Sequence, residues 1–208
     1  MRMADTLVLH EDPVSGNCYK IRLVAAHVGA ALERRSYDIT KGETRTPAFL
    51  NTVSPLGRIP VLQVGEEMLP ESNAACFYLA DGTSWVPDDR FERAQMLRWL
   101  FWEQYHHEPN VATLRFWRGI LGEAALNDAQ RSQLAAKERA AAEAIRVMED
   151  HLEKRDFLLG DRPSLADLIL YPYTHVAEEG GVALADAPCV TAWLARVSAL
   201  PGHVPMID

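Results

Sequence analysis

The chain has 208 residues, 48% of them hydrophobic and 24% charged, and a net charge of −8 from 21 basic against 29 acidic side chains. That balance excludes a non-specific binder of nucleic acid or of an anionic membrane surface, and no apolar run approaches the ~20 residues that cross a bilayer. Cys18, Cys76 and Cys189 are too few and too scattered for a disulfide framework or a zinc cluster. With a start, Met1-Arg2-Met3-Ala4-Asp5-Thr6, that lacks the layout of a signal peptide, they point to a reducing cytosol.

Thr6 to His10 is short, apolar and partly β-branched, as a buried strand should be. From Cys18, Ile21, Leu23, Val24, Ala25 and Val28 suit a helix with Gly29 as its C-cap. Glu33 to Ile39 reads as a second strand, and Thr46-Pro47 as the start of a short helix. Ile59 to Val64 and Met68-Leu69 form a hairpin about Gly65-Glu66-Glu67, and Glu71-Ser72 opens a helix through Leu79. The order is βαβ followed by ββα, with the first crossover making strands one and two parallel.

Asp81 to Asp89 reads as a linker. Arg90 to Gly119 is long and apolar on most faces, which predicts a buried helix that Pro109 kinks or divides. Asn127-Asp128 should cap a second long helix with the stripe Leu134, Ala141, Ile145, Met148 and Leu152. Ser164-Leu165-Ala166-Asp167 is a capping box opening another. Ala187 to Leu200 is the last, stopped by Pro201-Gly202.

Three features carry chemistry. The turn Ser15-Gly16-Asn17-Cys18 opens the first helix, where unpaired N–H groups and about half a positive charge favour an anion such as a thiolate. Thiol-redox proteins carry Cys-x-x-Cys in this place. Here the exposed first position is Ser15, which removes disulfide chemistry and leaves a hydroxyl donor. Such a bond to a charged group is worth roughly 1.5–3 kcal/mol, enough to lower a ligand thiol's pKa by about one to two units. By themselves, Ser15 also suits a plain N-cap and Cys18 a small core residue.

The second feature is Pro60 at the start of a strand, in Gly57-Arg58-Ile59-Pro60. A proline there sits at an edge or turn, and a cis bond would turn the Ile59 main chain outward to pair with a peptide. The third is Glu71-Ser72 at a helix start, suited to an ammonium and a carboxylate respectively, or simply to capping.

In this order and spacing, the segments 15–23, 57–62 and 71–74, the capping box in 160–167 and the terminal Ala192-Trp193-Leu194 with Leu200-Pro201-Gly202 resemble the cytosolic glutathione transferase family. The first-helix signature is similar to its serine-type members, theta, zeta and several bacterial classes. The resemblance implies an α/β thioredoxin-like N-terminal domain (1–82), a linker (83–89) and an all-α C-terminal helical domain (90–208). It also implies a homodimer, glutathione as co-substrate with no cofactor or metal, and a detoxifying conjugation of a small hydrophobic electrophile.

By the same resemblance, Ser15 holds the glutathione thiolate, with Asn17 sharing that contact or capping the helix. The Ile59 main chain pairs with the cysteinyl unit, Glu71 and Ser72 bind the γ-glutamyl end, and Arg58 reaches the glycine carboxylate. Contacts from Thr44 or Arg45 are not carried over, because the interval from Phe49 to Pro55 departs from the family pattern. Cys18 is the rival catalytic group. Tyr105 and His106, within Glu103 to Glu108, line the electrophile pocket or form a surface patch. Isomerisation, dehalogenation and peroxide reduction are other reactions of this fold, and a non-catalytic binding module is the alternative of a different kind.

Overall fold

The computed structural model describes residues 6–207. Residues 6–86 and 201–207 belong to one compact unit, and residues 87–200 to a second.

The first unit is built on a four-stranded sheet of order β2-β1-β3-β4. β1 (Leu7–Glu11) pairs in parallel with β2 (Glu33–Ser36) and antiparallel with β3 (Val61–Val64), which pairs with β4 (Glu67–Pro70). The inner strand contributes the fully buried Leu9 to the core. The edge strand β2, Glu33-Arg34-Arg35-Ser36, is exposed throughout, its charges guarding the open ladder. It stops three residues earlier than its composition suggests. Asp38 accepts from the Thr40 and Lys41 N–H groups, which turns the chain away. β3 likewise starts at Val61, since Pro60 has no N–H for the ladder.

Helix α1 (Gly16–Val28) starts at the N-cap Ser15 and ends at Gly29, whose φ of 70° lets its N–H reach back to the Ala25 and Ala26 carbonyls. Helix α2 (Pro47–Thr52) is capped by Thr46, and helix α3 (Ser72–Ala80) packs against α1. Ile21, Leu23 and Val24 from α1 and Ala75 and Cys76 from α3 are buried in that core.

The helical domain was expected to run to residue 208. Instead the helical unit ends at Leu200 and the tail belongs to the first unit. The buried Tyr19 hydroxyl donates to the Val204 carbonyl at 2.6 Å, and Met206 is buried, so the tail is tied to α1.

In the second unit, Arg90 to Ile120 is one helical run with two changes of pitch. Helix α4 (Arg90–Trp102) passes through a π-turn, Glu103–His107, into α5 (Glu108–Arg115) and a second π-turn, Phe116–Ile120. The wide turn falls just ahead of Pro109, where the i→i−4 ladder loses a donor, so the proline changes the pitch without dividing the helix. The run is not buried on every side as its composition suggests. Met96, Trp99 and Leu100 face the core, whereas Phe91, Phe101 and Tyr105 are exposed.

Asn127 forms a capping box with Gln130, but it opens only the single turn α6 (Asp128–Arg131). The long helix is α7 (Leu134–Leu152), whose buried stripe includes Ala141, Ile145, Met148 and Leu152. Ser164 caps α8 (Leu165–Thr174), and α9 (Pro188–Ser198) closes the unit. The buried Asp167 carboxylate accepts from the Ser164 and Leu158 N–H groups and from Trp193 Nε1, tying α8, α9 and the preceding loop together. No helix among the described residues is long and apolar enough to cross a membrane.

Candidate active site at the first helix

The end of β1 and the start of α1 are fixed by buried charge. Glu11, fully buried, forms an ion pair with Arg22 Nε at 3.1 Å. Arg22 Nη2 donates to the Pro13 carbonyl at 2.9 Å. The Asp12 carboxylate accepts from the Val14 and Ile39 N–H groups, each at 3.2 Å, and its carbonyl accepts from the Ser15 N–H at 3.0 Å. The loop that presents Ser15 is therefore pinned from α1 and from the chain beyond β2. The pairing of Glu11 with Arg22, eleven residues on and inside α1, has no local signature, so the sequence alone does not single out either residue.

At the tip, Ser15 is the N-cap, its Oγ accepting from the Cys18 N–H at 3.4 Å. Accepting that bond leaves the hydroxyl proton to donate. Ser15 is partly exposed, and Cys18 is not. Burial pushes the Cys18 thiol up to about 12, outweighing the favourable hydrogen bonds of Ser15 and Asp12. A thiol so placed is a core group and not an accessible thiolate. Asn17 lies inside the first turn and does not cap it. Its Oδ1 accepts from Ser72 Oγ at 3.2 Å, joining the N-termini of α1 and α3.

Glu71, the N-cap of α3, has φ 71° and ψ 109°, the single non-glycine residue with positive φ among the described residues. L-residues avoid this region, and such outliers concentrate at ligand clamps. Its side chain is exposed next to the buried Ser72. The Ile59–Pro60 peptide is cis, and Ile59 stands just outside the ladder that begins at Val61.

Arg58 is exposed, beside a tightly packed glycine. Gly57 has φ 61°, and a Cβ there would lie 2.8 Å from both the Thr44 carbonyl and Arg45 Nη1. Arg45 Nη1 also donates to the Leu56 carbonyl at 2.8 Å, so Thr44 and Arg45 buttress the 56–58 loop.

Thus α1 and α3 bring Ser15, Asn17, Glu71 and Ser72 to one end of the first unit. Tyr105 and His106 belong to the second unit, both exposed on its first π-turn, with the His106 ring stacked 6.0 Å from that of Trp102.

Residues 11–81 match the model of the glutathione S-transferase N-terminal domain, and residues 105–201 that of the C-terminal domain. Glutathione S-transferase 3 of Zea mays is 32% identical, the alignment covering 94% of this chain and 90% of the relative. Glutathione S-transferase theta-1 of Rattus norvegicus is 29% identical over 94% of this chain and 84% of its own. A solved glutathione S-transferase from Pseudomonas fluorescens superimposes with a TM-score of 0.90 at 41% identity, covering 97% of this chain and 99% of that one. From the capped turn at Ser15 to the helices of the second unit, the chain belongs to the glutathione S-transferase family.

Proposed function

We propose that the protein is a cytoplasmic glutathione transferase of the serine type, which binds glutathione as its thiolate and joins it to a small hydrophobic electrophile. The observation that carries this reading is the meeting of two helix N-termini at Ser15, Asn17, Glu71 and Ser72, one of them started by a strained glutamate. Together they offer a hydroxyl donor for sulfur and a polar cradle for a zwitterionic γ-glutamyl group.

In this mechanism the Ser15 hydroxyl donates to the glutathione sulfur and stabilises it as thiolate. The sulfur attacks an electrophilic carbon, the S–C bond forms, and the leaving group departs with its electron pair. The Ile59 main chain pairs with the cysteinyl unit, and Arg58 takes the glycine carboxylate. Glu71 receives the γ-glutamyl ammonium and Ser72 its carboxylate. Tyr105 and His106 border the electrophile. No cofactor beyond the co-substrate is required. The working unit is a two-fold dimer.

Isothermal calorimetry with glutathione, paired with turnover of chlorodinitrobenzene, tests the reading. Binding in the micromolar to millimolar range together with turnover is the expected result. Absence of binding would replace the enzyme with a non-catalytic module of the same fold.

A further inference from the structure

Asn17 and Lys20 are three residues apart and share one face of α1. That face meets the first two residues of α3. Asn17 Oδ1 accepts from Ser72 Oγ at 3.2 Å, and Lys20 Nζ donates to Asn73 Oδ1 at 3.3 Å. Lys20 is fully buried, which is rare for lysine and costly unless its ammonium stays hydrogen-bonded. The position of a buried cation is therefore tightly determined, and so is that of the group it holds. Asn73 follows Glu71 and Ser72 directly, so whatever fixes Asn73 fixes the turn that carries the strained Glu71 backbone.

We propose that Lys20 is a positioning residue for the ligand's γ-glutamyl end. From α1, its ammonium anchors Asn73 and thereby holds the opening turn of α3 in register with Ser15. The inference rests on the glutathione-binding reading of this site and adds a residue to it. Lys20 does not touch the ligand. It acts through Asn73 on the groups that do. Without the anchor, α3 keeps its packing on α1 through Ala75 and Cys76, but its first turn loses the fixed placement that the cradle needs.

The test is steady-state kinetics and calorimetry on Lys20→Met, Lys20→Arg and Asn73→Ala, with the wild-type protein measured alongside. Lys20→Met should raise the KM and Kd for glutathione by about tenfold or more, with kcat at saturating glutathione within about threefold of wild type. Lys20→Arg, which keeps the cation and its donors, should recover most of the affinity. The double variant Lys20→Met, Asn73→Ala should be no worse than the poorer single one, because both remove the same bond.

If Lys20→Met does not fold, Asn73→Ala carries the test with the same split between KM and kcat. A wild type that binds glutathione beside variants with unchanged KM would overturn the positioning role alone. So would equal losses in KM and kcat that merely follow the melting temperature. A wild type that fails to bind would overturn the underlying reading, and this role with it.

Discussion

Ser15 Oγ accepts from the Cys18 N–H at 3.4 Å, while the Cys18 side chain lies fully inside the core. One short turn thus holds a hydroxyl at the surface and withdraws a thiol from it, which separates the candidate for holding the thiolate from its rival. Ser15→Ala should leave glutathione affinity within a few fold and lower chlorodinitrobenzene turnover by about 10- to 100-fold, the worth of a charged hydrogen bond. It should also cost about 1 kcal/mol of stability as a lost N-cap. Cys18→Ala should keep most of the turnover. Assays of the two variants decide the matter, and loss of activity in Cys18→Ala at unchanged glutathione affinity would promote the thiol.

The positive φ of Glu71 predicts a trade between stability and affinity. Glycine adopts this conformation without a Cβ penalty. Glu71→Gly should therefore raise the unfolding free energy by about 1 kcal/mol, read from urea titration. The same variant removes the carboxylate and should raise the KM for glutathione. Loss of both stability and affinity would show that the side chain supports the fold more than the backbone strains it.

Acid should weaken the fold before it reaches the ordinary carboxylate range. Burial holds His10, His27, His151 and His175 below the usual imidazole value of 6.5. Near pH 6 the unfolded chain binds protons at these positions that the folded chain does not, so falling pH favours unfolding. The contribution is complete above 6.5 and is lost as pH falls through the lowered values. Asp167, raised by burial, acts in the opposite sense as one group against four. The melting temperature should be lower at pH 5.5 than at pH 7.5, and the difference should shrink in His10→Gln, where neutral amide chemistry replaces the imidazole beside Tyr37 and Gln63.

Phe91, Ala94, Arg98 and Phe101 are all exposed, at spacings of 3, 4 and 3 along α4. This is a helix stripe with its aromatic residues turned to solvent, and it fits the proposed dimer. Phe101→Glu should shift the light-scattering mass of a micromolar solution toward the monomer of 23.3 kDa. A mass that the substitution leaves unchanged would place the interface elsewhere.

Much of this was legible in the chain alone, for local reasons. A cap, a proline or a capping box acts within a few residues, so Ser15, Gly29, Thr46-Pro47, Asn127 and Ser164 mark element ends directly. The parallel first crossover and the closing hairpin follow from the succession of elements, whereas the pairing of β1 with β3 is set by the tertiary structure. Other features depended on groups far apart in sequence. The seating of the tail comes from Tyr19 meeting Val204, and the joining of α1 to α3 comes from Asn17 meeting Ser72. The change of pitch ahead of Pro109 is a compromise between a missing donor and a packed face. Around Ser15 the sequence determined which residue types stand at the helix start. Only tertiary structure decided their parts, because burial sets which group can ionise and the approach of α3 sets which partners it meets.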